Sequence, residues 1–139
     1  MNFELFLKGY KERETVDYVA SETYKDEKGN PLKWKLRAID SDLDESIRRD
    51  CTKKVRGARG GISSTEIDSD KYVTMVCVNT IVEPNLKDAE AQDAFGVKSA
   101  EALLKKLLLP GELLSLKEKV MEVNGFDVGM DDLVEEAKN

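Results

Sequence analysis

Apolar residues recur along the chain at two spacings, and the change between them separates a strand-bearing beginning from a helical remainder. Phe3, Leu5, Phe6 and Leu7 cluster before Lys8 and predict a short amphipathic helix ending at Gly9. Thr15 to Tyr24 mixes β-branched and aromatic residues. Leu32 to Ile39 alternates, with Leu32, Trp34, Leu36 and Ala38 on one side and Lys33, Lys35 and Arg37 on the other. That period is the period of a half-buried strand. The polar run from Lys25 to Pro31 contains Gly29 and Asn30, both tolerant of positive φ, so the two segments predict an antiparallel hairpin.

From Ser41 the spacing lengthens. Leu43, Ile47, Cys51 and Val55 recur at every fourth position, predicting one helix with Ser41 as its N-cap. Asp42, Asp44 and Glu45 sit where the helix dipole favours negative charge, Lys53, Lys54 and Arg56 where it favours positive charge, and Gly57 supplies the stop. Gly57 to Thr65 reads as a flexible loop. Asp70 to Val82 is dense in β-branched residues, as a strand would be. Its length, its apolar set of Tyr72, Val73, Val76, Cys77, Thr80 and Ile81, and the stop at Pro84 predict a helix instead. A short helix from Leu86 to Phe95 is closed by Gly96. Ser99 caps another that carries Leu103, Leu104, Leu107 and Leu108, and Pro110 starts one that carries Leu113, Leu116, Val120 and Val123. Asn124-Gly125-Phe126 predicts a Schellman stop with Phe126 packed back near Met121. The fold class expected is α+β: a mostly helical single domain over residues 1–126, with an N-terminal antiparallel β-hairpin on about five helices. An acidic C-terminal tail follows over residues 127–139.

Composition narrows the function. A chain of 139 residues suits one domain, and 40% hydrophobic residues suffice for its core. The net charge of −6 argues against a general nucleic-acid or membrane-surface binder. Charge is unevenly spread: Ser46 to Gly61 holds Arg48, Arg49, Lys53, Lys54, Arg56 and Arg59 against Asp50 alone. The tail reverses this, with Asp127, Asp131, Asp132, Glu135 and Glu136 against Lys138. Cys51 and Cys77 fall in apolar-periodic stretches, without metal-ligand spacing, and read as buried free thiols of a cytoplasmic protein. The start Met1-Asn2-Phe3-Glu4 is not that of a signal peptide, and no apolar run approaches the roughly 20 residues of a membrane span.

Candidate chemistry is thin. Asp40, Asp42 and Asp44 imitate the start of a calcium loop, but Glu45 stands where its glycine belongs and Cys51 where its bidentate Glu belongs. Gly57-Ala58-Arg59-Gly60-Gly61 lacks the Gly-Lys-Ser/Thr end of a phosphate loop. No histidine exists to move protons near neutral pH. A binding protein without cofactor or metal is expected, not an enzyme. Two surfaces are candidates. The leucine-dense stretch Leu103 to Leu116 exceeds what one helix face can bury, so Leu104, Leu108, Leu109 and Leu114 are assigned to a partner. Arg48, Arg49, Lys53 and Arg56 are assigned to an acidic partner segment or nucleic acid.

The order of short motifs adds a resemblance. Trp34-Lys35-Leu36-Arg37 follows a charged hairpin, and a helix with the paired Arg48 and Arg49 follows it. Then come Ile81-Val82-Glu83-Pro84-Asn85-Leu86, Gln92-Asp93-Ala94-Phe95-Gly96-Val97, Leu107-Leu108-Leu109-Pro110-Gly111-Glu112 and Asn124-Gly125-Phe126. This succession resembles the XkdN-like tail assembly chaperones of phages and defective prophages of Gram-positive hosts. The resemblance implies a chaperone that coats the tape measure protein in the host cytoplasm until the tail tube polymerises around it, and that is absent from the finished virion. It implies no catalytic residues, and a structural role for Trp34, Pro84, Gly96, Pro110 and Gly111. It also implies contact with the tail tube protein through a frameshift-extended product, for which Ala137-Lys138-Asn139 admits slippery codons; self-association of the chain is a further expectation. Two alternatives stand beside it: a small phage regulator binding nucleic acid through Arg48 to Arg59, and a structural tail-completion protein.

Overall fold

The computed structural model describes residues 1–58 and 60–126. Arg59, the acidic tail and the Ala137-Lys138-Asn139 end lie outside the described residues. The first helix, α1 (Phe3–Lys11), starts where Asn2 accepts the Glu4 N–H, and it runs through Gly9 instead of ending there. The expected hairpin forms from β1 (Val16–Tyr18) and β2 (Trp34–Leu36), antiparallel, with Tyr18 opposite Trp34 and Val16 opposite Leu36. Between the strands, Asp26 Oδ1 accepts the N–H groups of Lys28 and Asn30 at 2.9 Å each, and Gly29 takes φ 84°. Trp34 and Leu36 are buried as their alternation requires. Leu32 is not: it precedes β2, donates its N–H to the Tyr24 carbonyl, and stays 45% exposed.

The second expected helix is half right. It forms as α2 (Ser41–Asp50), with Asp40 rather than Ser41 at the N-cap, and it ends before Thr52. Thr52 to Arg56 is a strand, β3, paired with β4 (Ile62–Ile67), a stretch expected to be a loop. Hairpin pairing satisfies the backbone of a segment whose Thr52 and Val55 are β-branched, and it outweighs the four-residue apolar spacing. Gly57 accordingly marks a turn and not a helix end. Its N–H donates to the Gly61 carbonyl at 2.6 Å, and Gly60 takes φ 84°. Cys51 remains in the core at the junction, where its carbonyl accepts the Asp68 N–H at 2.8 Å.

Both readings of residues 70–82 are realised in succession. α3 (Ser69–Thr80) is a helix capped by Asp68, whose side chain accepts the Lys71 N–H. The β-branched run then continues as β5 (Ile81–Glu83), which pairs with the free edge of β2 to give the strand order β1-β2-β5. Tyr72, Val73, Val76, Cys77 and Val78 are all buried, so α3 is apolar nearly all round and shows only a weak helical period. The remaining helices follow their caps: α4 (Ala89–Ala94), α5 (Ala100–Leu107) with Ser99 Oγ accepting the Ala102 N–H, and α6 (Pro110–Val123). Their turns close as expected. Gly96 has φ 69°. After α6, Gly125 N–H donates to Glu122 O and Phe126 N–H to Met121 O, the bond pattern of a Schellman stop. Leu36, Val76, Cys77, Leu104, Leu116, Val120 and Met121 make the innermost core, with α3 packed against α2, α5 and α6.

Candidate partner-binding surfaces

The eight residues assigned to partners from sequence do not form one surface. Leu104 is 0% exposed and Leu108 6%, because α5 turns this face onto α3, so neither is offered to a partner by the folded chain. Leu109 and Leu114 have the opposite fate, at 64% and 54% exposed. They lie at the start of α6, where Pro110 is pre-set for the first helical position and Glu112 reaches back to accept the Leu109 N–H at 2.9 Å. The backbone there is tightly fixed while two leucine side chains face solvent.

The basic residues divide too. Arg48 is engaged within the chain: Nε donates to Asp44 Oδ2 at 2.9 Å, and the guanidinium lies 4.6 Å from the centre of the Tyr72 ring. Tyr72 in turn donates its hydroxyl to Asp44 Oδ1. Burial, reinforced by that hydrogen bond, pushes the Tyr72 phenol up to about 12. Arg49, Lys53, Lys54 and Arg56 are exposed, and among the described residues none has a carboxylate within ion-pair distance. Lys53 and Lys54 sit at successive positions of β3 and so point to opposite faces of the hairpin. Arg49 lies on α2, so the basic group is spread around a helix end and a two-stranded ribbon and does not form a single stripe.

Two further surfaces were not assigned to a partner from the sequence. The first is an apolar groove of about 400 Å³ between the segment that enters β2, the segment that leaves β5, and helices α4 and α5. Buried Trp34 and Leu103 line it together with exposed Leu32 and Phe95, and Tyr24 fixes one wall by donating its hydroxyl to the Leu107 carbonyl at 2.6 Å. The second is α1 itself. None of its residues is buried, and Phe3, Phe6, Leu7 and Tyr10 are 77%, 57%, 52% and 48% exposed. Its end is held at Asp40, which accepts the Tyr10 hydroxyl at 2.8 Å and pairs with Arg13 at 3.4 Å. The hydrogen bond to Asp40 raises the Tyr10 phenol above its ordinary value.

Neither thiol is presented as a nucleophile. Burial pushes Cys51 up and Cys77 up to about 12, so both stay protonated near neutral pH. Among the described residues no helix is long and apolar enough to cross a membrane, and no group of His, Cys, Asp or Glu is placed to hold a metal ion. What the described surface offers is apolar contact and charge.

A family described as phage XkdN-like tail assembly chaperone protein matches residues 3–138. Two proteins of Bacillus subtilis (strain 168) are similar over nearly the whole chain. The uncharacterized protein YqbN is 32% identical over 130 residues, which cover 92% of this chain and 86% of that protein. The phage-like element PBSX protein XkdN is 27% identical over 131 residues, again covering 92% and 86%. The crystal structure of YqbN superposes with a TM-score of 0.70 at 25% identity, over 82% of this chain and 87% of that one.

Proposed function

This chain belongs to the XkdN-like phage tail assembly chaperones, and from that premise we propose that it binds the tape measure protein and keeps it soluble until the tail tube forms around it. A tape measure protein is long, helical and apolar in stripes, so uncovered it would aggregate. A small protein that covers such stripes needs exposed apolar side chains on a backbone that does not rearrange. Leu109 and Leu114 are the observation that carries the reading: two leucines more than half exposed on a capped helix start, inside a run whose other leucines are in the core or packed against it. Many copies along one polymer can hold it through modest individual affinity, and can yield to tube subunits later. The chaperone acts in the host cytoplasm and is left out of the finished particle.

The experiment is co-expression with the tape measure protein of the same phage. The wild-type chain is expected to keep that protein in the soluble fraction and to co-purify with it. The double variant Leu109→Glu/Leu114→Glu is expected to lose both effects while retaining its circular dichroism spectrum and melting transition, since both positions are surface. A tape measure protein equally soluble with and without the chain would overturn the function. Undiminished rescue by the folded double variant would move the surface away from α6.

A further inference from the structure

We propose that α1 of one copy docks into the Trp34-lined groove of the next, so that the protein assembles head to tail with itself. Both halves of this junction lie on one chain. The donor is α1, whose Phe3, Phe6, Leu7 and Tyr10 fall at i, i+3, i+4 and i+7, the anchor spacing of a helix laid into an apolar groove. All four are about half exposed or more, so the rest of the described chain leaves the stripe open. The acceptor is the 400 Å³ groove, with buried Trp34 and Leu103 among its lining and exposed Leu32 and Phe95 on it.

The two halves sit at opposite ends of β2. Asp40, beyond the end of the strand, holds α1 through Tyr10 and Arg13, whereas the groove is lined by Leu32, Lys33 and Trp34 at its beginning. Within one chain α1 therefore does not fill this groove, and the occupant is supplied by a second copy. Charge agrees with this occupant. At 100° per residue, Glu4 and Lys11 line one flank of the α1 stripe, while Lys8 turns to its back. The groove carries Lys33 and Glu83, one charge of each sign, so a helix laid with Glu4 toward Lys33 gives each an opposite partner. Since donor and acceptor surfaces differ, every junction leaves one α1 and one groove free, and growth continues as an open chain unless the rotation closes a ring. Three aromatic anchors at roughly 150–250 Å² each, and one leucine, place the contact at the low end of specific interfaces. The assembly is accordingly reversible and concentration-dependent. It holds whether or not the tape measure protein is the client.

Sedimentation velocity of the purified full chain over a wide concentration range tests it, with Phe6→Asp to disable the helix and Phe95→Asp to disable the groove. Wild type is expected to shift to larger species as concentration rises, and each variant alone to stay monomeric. An equal mixture of the two variants is expected to form a dimer and nothing larger, because only α1 of the Phe95→Asp chain and the groove of the Phe6→Asp chain remain to pair. A wild type that is monomeric throughout would overturn the proposal. So would a mixture that stays monomeric, or a Phe95→Asp variant that still associates, which would mean α1 pairing with α1. Should Phe95→Asp lose its native circular dichroism, Leu32→Asp replaces it, since Leu32 lines the same groove at 45% exposure.

Discussion

Replacing Asn124 with alanine removes a side chain that ties three separate elements together. Asn124 is the C-cap of α6. Its Oδ1 accepts the N–H of Ile39, in the segment leading to α2, at 2.9 Å. Its Nδ2 donates to Thr80 Oγ1, at the end of α3, and to the Val120 carbonyl, both at 2.9 Å. The three bonds do not weigh equally. Val120 O also accepts the Asn124 backbone N–H at 3.1 Å, so losing the side-chain donor leaves that carbonyl satisfied. The Ile39 N–H and the fully buried Thr80 hydroxyl have no such substitute. Two net hydrogen bonds at about 0.5–1.5 kcal/mol each, plus part of the desolvation penalty of the groups left behind, give a loss of about 2–3 kcal/mol. Asn124→Asp keeps the acceptor for Ile39 and loses the donor, so it should cost less. Urea unfolding followed by Trp34 fluorescence reads this as a lower midpoint at unchanged slope. A double-mutant cycle with Thr80→Val should show about 1 kcal/mol of coupling. An Asn124→Ala loss below about 0.5 kcal/mol, or strict additivity with Thr80→Val, would refute the claim that this side chain joins the three elements.

Two further perturbations check the core. Trp34 is 4% exposed and paired across the hairpin with Tyr18, so Trp34→Ala should cost about 3–5 kcal/mol; circular dichroism melts that show no fall in transition temperature would mean the hairpin is not docked. At high pH the protein should lose stability. The Tyr72 phenol and the Cys77 thiol are both raised, to about 12, from ordinary values of 10 and 9. The folded state then holds these protons more tightly than the unfolded chain, so their contribution is complete below pH 9 and is lost as pH climbs toward 12. Tyr72→Phe should flatten the part of that decline above pH 10, and a variant with an unchanged alkaline slope would sink the assignment.

The architecture was legible wherever a cap, a turn and a period agreed. Ser99, Pro110 and Asn124-Gly125-Phe126 each act as their residue types require, and the Leu32 to Ile39 alternation placed Trp34 and Leu36 correctly in the core. The two misplaced strands share one cause, a local pattern overruled by pairing at a distance. Leu43, Ile47, Cys51 and Val55 keep a helical spacing across Asp50, yet β4 supplies a partner strand that helix continuation could not match. Ile81 to Glu83 looked like the end of a helix, because β2 was not yet known to have a free edge beside it. Even the N-cap at Asp40 differs for a distant reason. Its carboxylate serves Tyr10 and Arg13 rather than its own helix.

Binding surfaces are harder to read than cores, because period reports that apolar residues share a face and is silent about what covers it. Leu103, Leu104 and Leu107 on α5, with Leu108 at its cap, keep a helical spacing, as Phe3, Phe6, Leu7 and Tyr10 do on α1. The α5 set closes onto α3 because its chain neighbours on both sides, α4 and α6, are held in the same domain by short connections. The α1 set is held on the domain by polar contacts, through Asp40, and none of its residues is buried. The groove had no local signature at all, since it is assembled from four segments that meet only after β5 and α4 are in place. Single exposed apolar residues are ordinary on any protein surface, and it is their grouping that carries meaning. Here Phe3, Phe6, Leu7 and Tyr10 fall on one helix, Leu32 and Phe95 on one groove, and Leu109 and Leu114 on one helix start. The three groups differ in form: a helix stripe and a groove whose shapes complement each other, and a separate pair of leucines at the start of α6 that belongs to neither.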